Sequence, residues 1–305
     1  MSMDAKMAAD NATLMKRATY AAVTVAVFLV LIKGAALWFT GSVAMLGTLL
    51  DSLLDGSASL LNLVAVRHAL TPADQEHRFG HGKAEALAGL GQSFFIFASA
   101  GYIIYEAFQR LITPAPVSHS LWGIAVTAVA IGLTLALVAF QRHVVARTNS
   151  LAIEADSIHY RGDLLMNLSV IAALALSGLL GWEWTDPVFG ILIAGLIAWA
   201  ATQIASNAFD QLMDRELSDE ERERIKTLAL SHPDVINIHD LRTRTSGVQS
   251  FIQFHLELDP EMSLTRAHRI SDEVEAEIMK EFSGAEVLIH QDPAGLEKLS
   301  RLERV

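Results

Sequence analysis

Two short stretches of this chain put ionisable side chains where they are costly. LLDSLLDG (49–56) carries Asp51 and Asp55 inside an apolar run, and EADSIHYRGDLLMN (154–167) carries His159 and Asp163 inside another. A carboxylate in hydrocarbon costs about 3 kcal/mol on insertion scales and more in simulations. Each pair is four residues apart, so on a helix both members project from one face. Brought together, two such helices offer three carboxylates and one imidazole, a set suited to a tetrahedral divalent cation such as Zn²⁺. The competing use of such groups is as glue between helices or as lining for a water cavity. The set contains no sulfur, so Zn²⁺, Fe²⁺, Cd²⁺ and Mn²⁺ all fit it by ligand type; the pattern of carboxylates with one imidazole favours Zn²⁺.

Two further clusters have ligand chemistry. PADQEHRFGHGKAE (72–85) holds Asp74, His77 and His81, with the histidines one turn apart if the segment is helical. A solvated polar loop is the alternative there. Toward the C-terminus stand His239, His255, His268, His290 and Asp292. His290 and Asp292 are two apart in a strand-like run and so share a face. Scattered surface histidines are common, but three expected strands each bearing one point to metal binding.

The elements that must position these groups follow from composition. The chain has 305 residues, of which 52% are hydrophobic and 19% charged. Its long apolar stretches lie before about residue 210 and its charges crowd after it, which predicts a membrane domain followed by a soluble one. Spans are expected near 14–39, 43–70, 83–112, 118–146, 151–180 and 186–212, with turn signals at 40–42, 113–116 and 181–187. Lys16, Arg17, Arg67, Arg78, Lys83, Arg142 and Arg147 then fall on one side and Arg110 almost alone on the other. The positive-inside bias places both termini in the cytoplasm, consistent with an even number of spans. The polar start, MSMDAKMAADNATLMKR, reads as a short tail without a cleavage pattern. The absence of cysteine excludes disulfides and thiolate metal sites, and the net charge of −11 argues against nucleic-acid binding.

Beyond residue 213 the periodicity changes. Ser218 with Glu221 three residues on is a capping-box signature before an amphipathic helix. VINIHDLRTRT and VQSFIQFHLELD read as strands; in the second, Ile252, Phe254, Leu256 and Leu258 alternate with Gln253, His255 and Glu257. A second amphipathic helix over 263–282 and a strand at AEVLIHQD complete an αββαβ order, a small α+β domain of ferredoxin-like or metallochaperone-like type. The expected division is a transmembrane domain at 1–213, a cytoplasmic domain at 214–293 and a loose tail at 294–305.

Taken in order, DSLLD, PADQEHRFGHGKAE, ADSIHYRGD, HDLRTR, FIQFHLEL and IHQDP resemble the motifs of the cation diffusion facilitator family, in its bacterial zinc/iron efflux branch, over about residues 15–293. The resemblance implies a transport site at Asp51, Asp55, His159 and Asp163 and a loop site at Asp74, His77 and His81. It implies a cytoplasmic binuclear site drawing on His239, His255, His268, His290 and Asp292. It also implies a homodimer formed through the cytoplasmic domains, an inner-membrane location, and exchange of Zn²⁺, with Fe²⁺ and Cd²⁺, for protons as counter-ion. Lys83 is expected to interlock with an acid such as Asp214. Zinc would be both the transported substrate and a regulatory ion, and the protein a secondary transporter and not an enzyme.

Electrostatics supports exchange at such a site. Three carboxylates in a low-dielectric cavity repel one another, and either protons or a divalent ion relieves the repulsion, so the two compete for the same oxygens. An intramembrane hydrolase is the enzymatic alternative, but no HExxH occurs. A passive channel is disfavoured because a four-ligand cage holds ions too firmly for rapid conduction. A metal sensor built on the same sites differs from a transporter in lacking proton-coupled flux.

Overall fold

The structure, a computed structural model, describes residues 3–40, 43–112, 121–180 and 184–295. The expected turn at 113–116 lies outside these residues, as do most of the turn at 40–42 and of the tail at 294–305; of the turn expected at 181–187, residues 181–183 lie outside and 185–187 belong to the sixth helix. The chain forms two compact units, Asp10–Phe209 and Asp210–Val305 with Met1–Ala9.

The first unit is built from α1 (Met3–Thr40), α2 (Val43–Ala69), α3 (Lys83–Ile112), α4 (Leu121–Thr148), α5 (Leu151–Leu180) and α6 (Thr185–Leu212). These are the helices that hydropathy predicts, with one difference. The N-terminal segment expected as a short tail is helical from Met3. Hydropathy marks only the apolar part of a helix, whereas Met3–Arg17 contains neither Gly nor Pro and is rich in Ala, Met and Lys, all good helix formers.

Among the described residues five helices are long and apolar enough to cross a membrane. The sixth helix, α5, carries Glu154, Asp156, Arg161 and Asp163 in its first half. The outward surface is apolar: Leu31, Trp38, Phe94 and Trp199 are all exposed, as lipid-facing side chains must be. Inside, small residues line the packed faces. Ala18, Ala22 and Ala26 of α1 and Ala194, Ala201 and Ala208 of α6 are buried at helical spacing. Lipid removes the hydrophobic incentive for helices to associate, and close approach over small residues restores it through dispersion. The helix α5 packs against α2, α3 and α4, which brings the two acid-bearing segments side by side.

The second unit contains α7 (Asp219–Leu230), β1 (Asn237–Ser246), β2 (Gln249–Leu258), α8 (Leu264–Glu281) and β3 (Glu286–Pro293). Its sheet runs β1-β2-β3, with β1 antiparallel and β3 parallel to β2. The β1–β2 hairpin turns at Gly247, whose φ of 62° suits a residue without a Cβ. The capping box forms at the head of α7, with Ser218 and Glu221 each satisfying the other's backbone N–H. Ile252, Phe254, Leu256 and Leu258 pack with Ile225 and Ala229 of α7 and Ile270, Val274 and Ile278 of α8. Each fully buried aliphatic or aromatic side chain contributes roughly 1.5–3 kcal/mol. The opposite face of the sheet is left for polar side chains, among them the histidines.

Candidate metal sites

The α2–α5 contact brings Asp55, His159 and Asp163 together. His159 Nε2 lies 2.9 Å from Asp55 Oδ1 and 3.9 Å from Asp163 Oδ2. One ligand atom from each of the three residues lies within 4.8 Å of the others. Ligands about 2.1 Å from a tetrahedral zinc lie about 3.4 Å apart, and the two measured separations bracket that value. Asp51, one turn earlier on α2, is exposed and is not drawn into this set. Lys33 of α1 reaches the same turn, donating to Thr48 O at 3.1 Å and to Ser52 Oγ at 2.6 Å. Ile96, Ile103, Ile158, Met166 and Ile197 wall the pocket beside His159 and Asp163, which limits water to the polar side of the cage. Gly162 permits this closeness: a Cβ there would stand 3.0 Å from Ile197 Cγ2 on α6.

Directly along α5 lies a polar network that sequence spacing did not single out. Asp156, only 1% exposed, accepts from Gln141 Nε2 at 2.7 Å, Ser59 Oγ at 3.3 Å and Gln92 Nε2 at 3.4 Å. Ser59 Oγ and Tyr160 OH are 2.9 Å apart, and Asn62 Nδ2 donates to Ala152 O at 2.9 Å. These bonds tie α2, α3, α4 and α5 together and fix how α5 presents His159 to α2. Further along, buried Ser150 donates to Glu85 of α3. The sequence signals for this network were Asp156 and Glu85 within apolar helices and the polarity of the Ser, Asn and Gln around them, none of which carries a partner assignment.

The loop site is assembled by turns. The segment between α2 and α3 is irregular, so the helical spacing considered for His77 and His81 is replaced by a turn that closes with Gly80 N–H on His77 O at 3.0 Å. Gly80 has φ 76°, a region that Cβ-bearing residues avoid. Asp74 Oδ1 accepts the backbone N–H groups of His77 at 2.6 Å and Glu76 at 2.9 Å. These bonds, that from His77 foremost, hold the Asp74 carboxyl below its ordinary value. Asp74 lies 3.5 Å from His77 Nδ1 and 3.4 Å from His81 Nε2. His81 is buried and its Nδ1 faces Thr71 O at 3.3 Å. Fixing one ring nitrogen on a backbone carbonyl and freeing the other is the arrangement of a metal-binding histidine.

In the cytoplasmic unit the sheet register aligns three histidines. His239 of β1 pairs with His255 of β2, and His255 with His290 of β3. Neighbouring rings stand 4.9 and 4.6 Å apart. Asp292 sits below this row, 2.6 Å from His255 Nδ1, 3.4 Å from His239 Nε2 and 3.2 Å from His290 Nε2. A register shift between His239 and Arg242, with Asp240 at φ 50°, locally interrupts β1 beside His239. Both ring nitrogens of His239 are buried without a hydrogen-bond partner. Buried polar atoms are nearly always paired, so a ring with two orphaned nitrogens is suited to a cation. Glu257, absent from the sequence-based set, comes within 3.6 Å of His239. His268 lies on α8 with its side chain 70% exposed, 3.6 Å from Asp272 and outside the grouped ligands. Asp214 is paired with Arg244 at 3.2 Å.

Comparison with known proteins is consistent along the chain. Residues 19–213 match the family model described as the cation efflux transmembrane domain, and residues 217–294 match the cytoplasmic domain of cation efflux proteins. The chain is 47% identical over 282 residues to the cation-efflux pump FieF of Shewanella oneidensis, covering 92% of this chain and 95% of that protein. It is also 47% identical over 283 residues to FieF of Klebsiella pneumoniae, covering 93% of this chain and 94% of that protein. The solved zinc form of CzrB, a putative zinc transporter, covers 28% of this chain and 98% of its own at 36% identity, with a TM-score of 0.27.

Proposed function

The chain belongs to the cation efflux family, and from that premise we propose a divalent cation:proton antiporter that exports Zn²⁺, with Fe²⁺ and Cd²⁺ as further substrates, by alternating access. The observation that carries this reading is the cluster of Asp55, His159 and Asp163 between two membrane helices. Asp51 completes the cage when a cation draws its side chain inward. The empty site sets two carboxylates beside an apolar wall, with the third, Asp51, one turn away on α2; protons relieve their repulsion facing one side of the membrane and the metal relieves it facing the other. Because both compete for the same oxygens, an inward proton gradient drives metal outward.

The remaining assignments extend the same reading. The chain sits in the inner membrane with both termini cytoplasmic, as the distribution of Lys and Arg supports. Two copies associate through their cytoplasmic units, and metal held by His239, His255, His290 and Asp292, with His268 reaching a second ion, tightens that association. Flux into proteoliposomes tests the core of the proposal. Zinc transport should accelerate with an opposing proton gradient and vanish in Asp55→Ala while the protein still inserts. Flux indifferent to the gradient would remove the antiport, and near-normal flux in Asp55→Ala would remove the site.

A further inference from the structure

His68 occupies the last turn of α2, thirteen residues before His81. Its ring centre lies 4.5 Å from that of His81 in an edge-on arrangement, and the ring centre of His77 lies 4.6 Å from that of His81. His81 therefore has two imidazoles against it and Asp74 within 3.4 Å. We propose that His68 is a fourth ligand of the loop site, closing it into a tetrahedral centre of three imidazoles and one carboxylate that retains a zinc-like cation; this rests on the loop-site reading of Asp74, His77 and His81.

The distances fit that centre. An imidazole bound at about 2.0–2.1 Å has its ring centre about 3.2 Å from the metal, so two such rings at the tetrahedral angle stand about 5 Å apart. Both observed ring separations fall just short of this, and the contacts of Asp74 with His77 Nδ1 and His81 Nε2, 3.5 and 3.4 Å, match the separation of tetrahedral ligand atoms. Asp74, His77 and His81 already offer atoms within 4.8 Å of one another. His68 is exposed, so its ring is free to rotate into the fourth position. The backbone links the two ends: Thr71 N–H donates to His68 O at 2.9 Å, and Thr71 O meets His81 Nδ1. A cation here also lies by the C-terminus of α2, where the helix dipole favours positive charge.

The chemical consequence concerns residence. A three-ligand zinc site keeps one position for water or a passing ligand, whereas four protein ligands make a closed site of the structural kind. The loop centre then holds its ion between α2 and α3 and does not hand it on. The alternative is that the rings of His68 and His81 merely stack. His68→Phe separates the two, because it keeps an aromatic ring against His81 and removes both ligand nitrogens.

The experiment is a zinc titration of the full-length protein in nanodiscs against a chromophoric chelator, for the parent, His68→Phe, His77→Gln and the double variant. Loss of an outer-shell partner costs about 10–100-fold in metal affinity, and loss of a ligand costs no less. His68→Phe should therefore weaken one zinc per chain by at least about tenfold, and the double variant should lose that same zinc and no second one. A His68→Phe titration superimposable on the parent, beside a weakened His77→Gln, overturns the fourth ligand and leaves the three-residue site standing. Unchanged titrations in both single variants overturn the loop site itself and the proposal with it. Separate losses that sum to two zinc ions in the double variant place His68 at another centre and also overturn the proposal.

Discussion

Replacing Gly162 by alanine probes how closely the transport cage depends on the α5–α6 contact. The new Cβ would stand 3.0 Å from Ile197 Cγ2 and 3.6 Å from its Cδ1. Carbon atoms pack best at about 3.5–4.0 Å, so about 0.5–1 Å must be found. Ile197 is 6% exposed and clusters with Ile96, Ala100, Ala194 and Ala201, which leaves it little room to retreat. Much of the displacement then falls on α5, whose next residue is Asp163. The His159–Asp163 separation, 3.9 Å, already exceeds the 2.9 Å from His159 to Asp55. A shift of up to about 1 Å takes Asp163 beyond the reach of a zinc ion that needs every ligand near 2 Å. Overpacking costs about 1–3 kcal/mol, and the better helix propensity of alanine returns about 1 kcal/mol. Stability should therefore fall by no more than about 2 kcal/mol. Zinc flux should fall by about 100-fold, the scale of a 1 Å misplacement at a reacting centre. The assay is initial Zn²⁺ and Cd²⁺ flux in proteoliposomes beside thermal unfolding of the purified protein. A widened cage suits the larger ion, so Cd²⁺ flux should suffer less. Adding Ile197→Ala removes Cγ2 and should restore part of the zinc flux despite the cavity it creates. Parent-like zinc rates in Gly162→Ala, or equal loss of both metals with no recovery in the double variant, would refute the reasoning.

Asp156→Ala should strand the donors of Gln141 and Gln92 at about 1–3 kcal/mol for each buried group left unpaired. Asp156→Asn, which keeps the shape and an acceptor oxygen, should lose less; equal melting temperatures for the two variants would count against a positioning role. In the cytoplasmic unit, Arg224 shares its Nε–H between the two carboxylate oxygens of Glu281, 2.8 Å from each, which keeps the Glu281 carboxyl below its ordinary value. A depressed folded-state value means the stabilisation is complete above the ordinary glutamate range and disappears as pH falls through the folded value. Unfolding curves of Arg224→Ala and the parent should accordingly differ slightly near neutrality and converge in acid; a gap that widens on acidification would contradict the sign. His290→Ala, if cytoplasmic metal favours the transport-competent form, should lower flux at limiting zinc more than at saturating zinc, with a coupling of about 1–3 kcal/mol. Superimposable rate curves with the cytoplasmic metal demonstrably lost would reduce that site to a structural staple.

The sequence by itself determined the helices and the site pairs that lie within one element. The helical repeat fixes Asp51 with Asp55 and His159 with Asp163 on common faces, and the strand repeat puts His290 with Asp292; both follow from the covalent chain and local geometry. Hydropathy likewise located the six spans, since apolar length against bilayer thickness needs no knowledge of neighbours. What remained was decided by tertiary structure. Asp156 and Asp163 are seven residues apart and face nearly the same way on α5, so a helical wheel hardly separates them. They differ in the side chains that meet them at each level: Gln92, Gln141 and Ser59 satisfy one, while His159 and the pocket beside Ile197 receive the other. The row His239–His255–His290 depends on an antiparallel and a parallel pairing in one register, and a slip of one residue would turn a strand's histidine to the opposite face. His68 meets His81 only because the irregular path through Thr71 and Gly80 doubles back to the end of α2. Local periodicity sets the direction in which a side chain leaves its own backbone; partners brought close by packing and loop closure decide what it meets there.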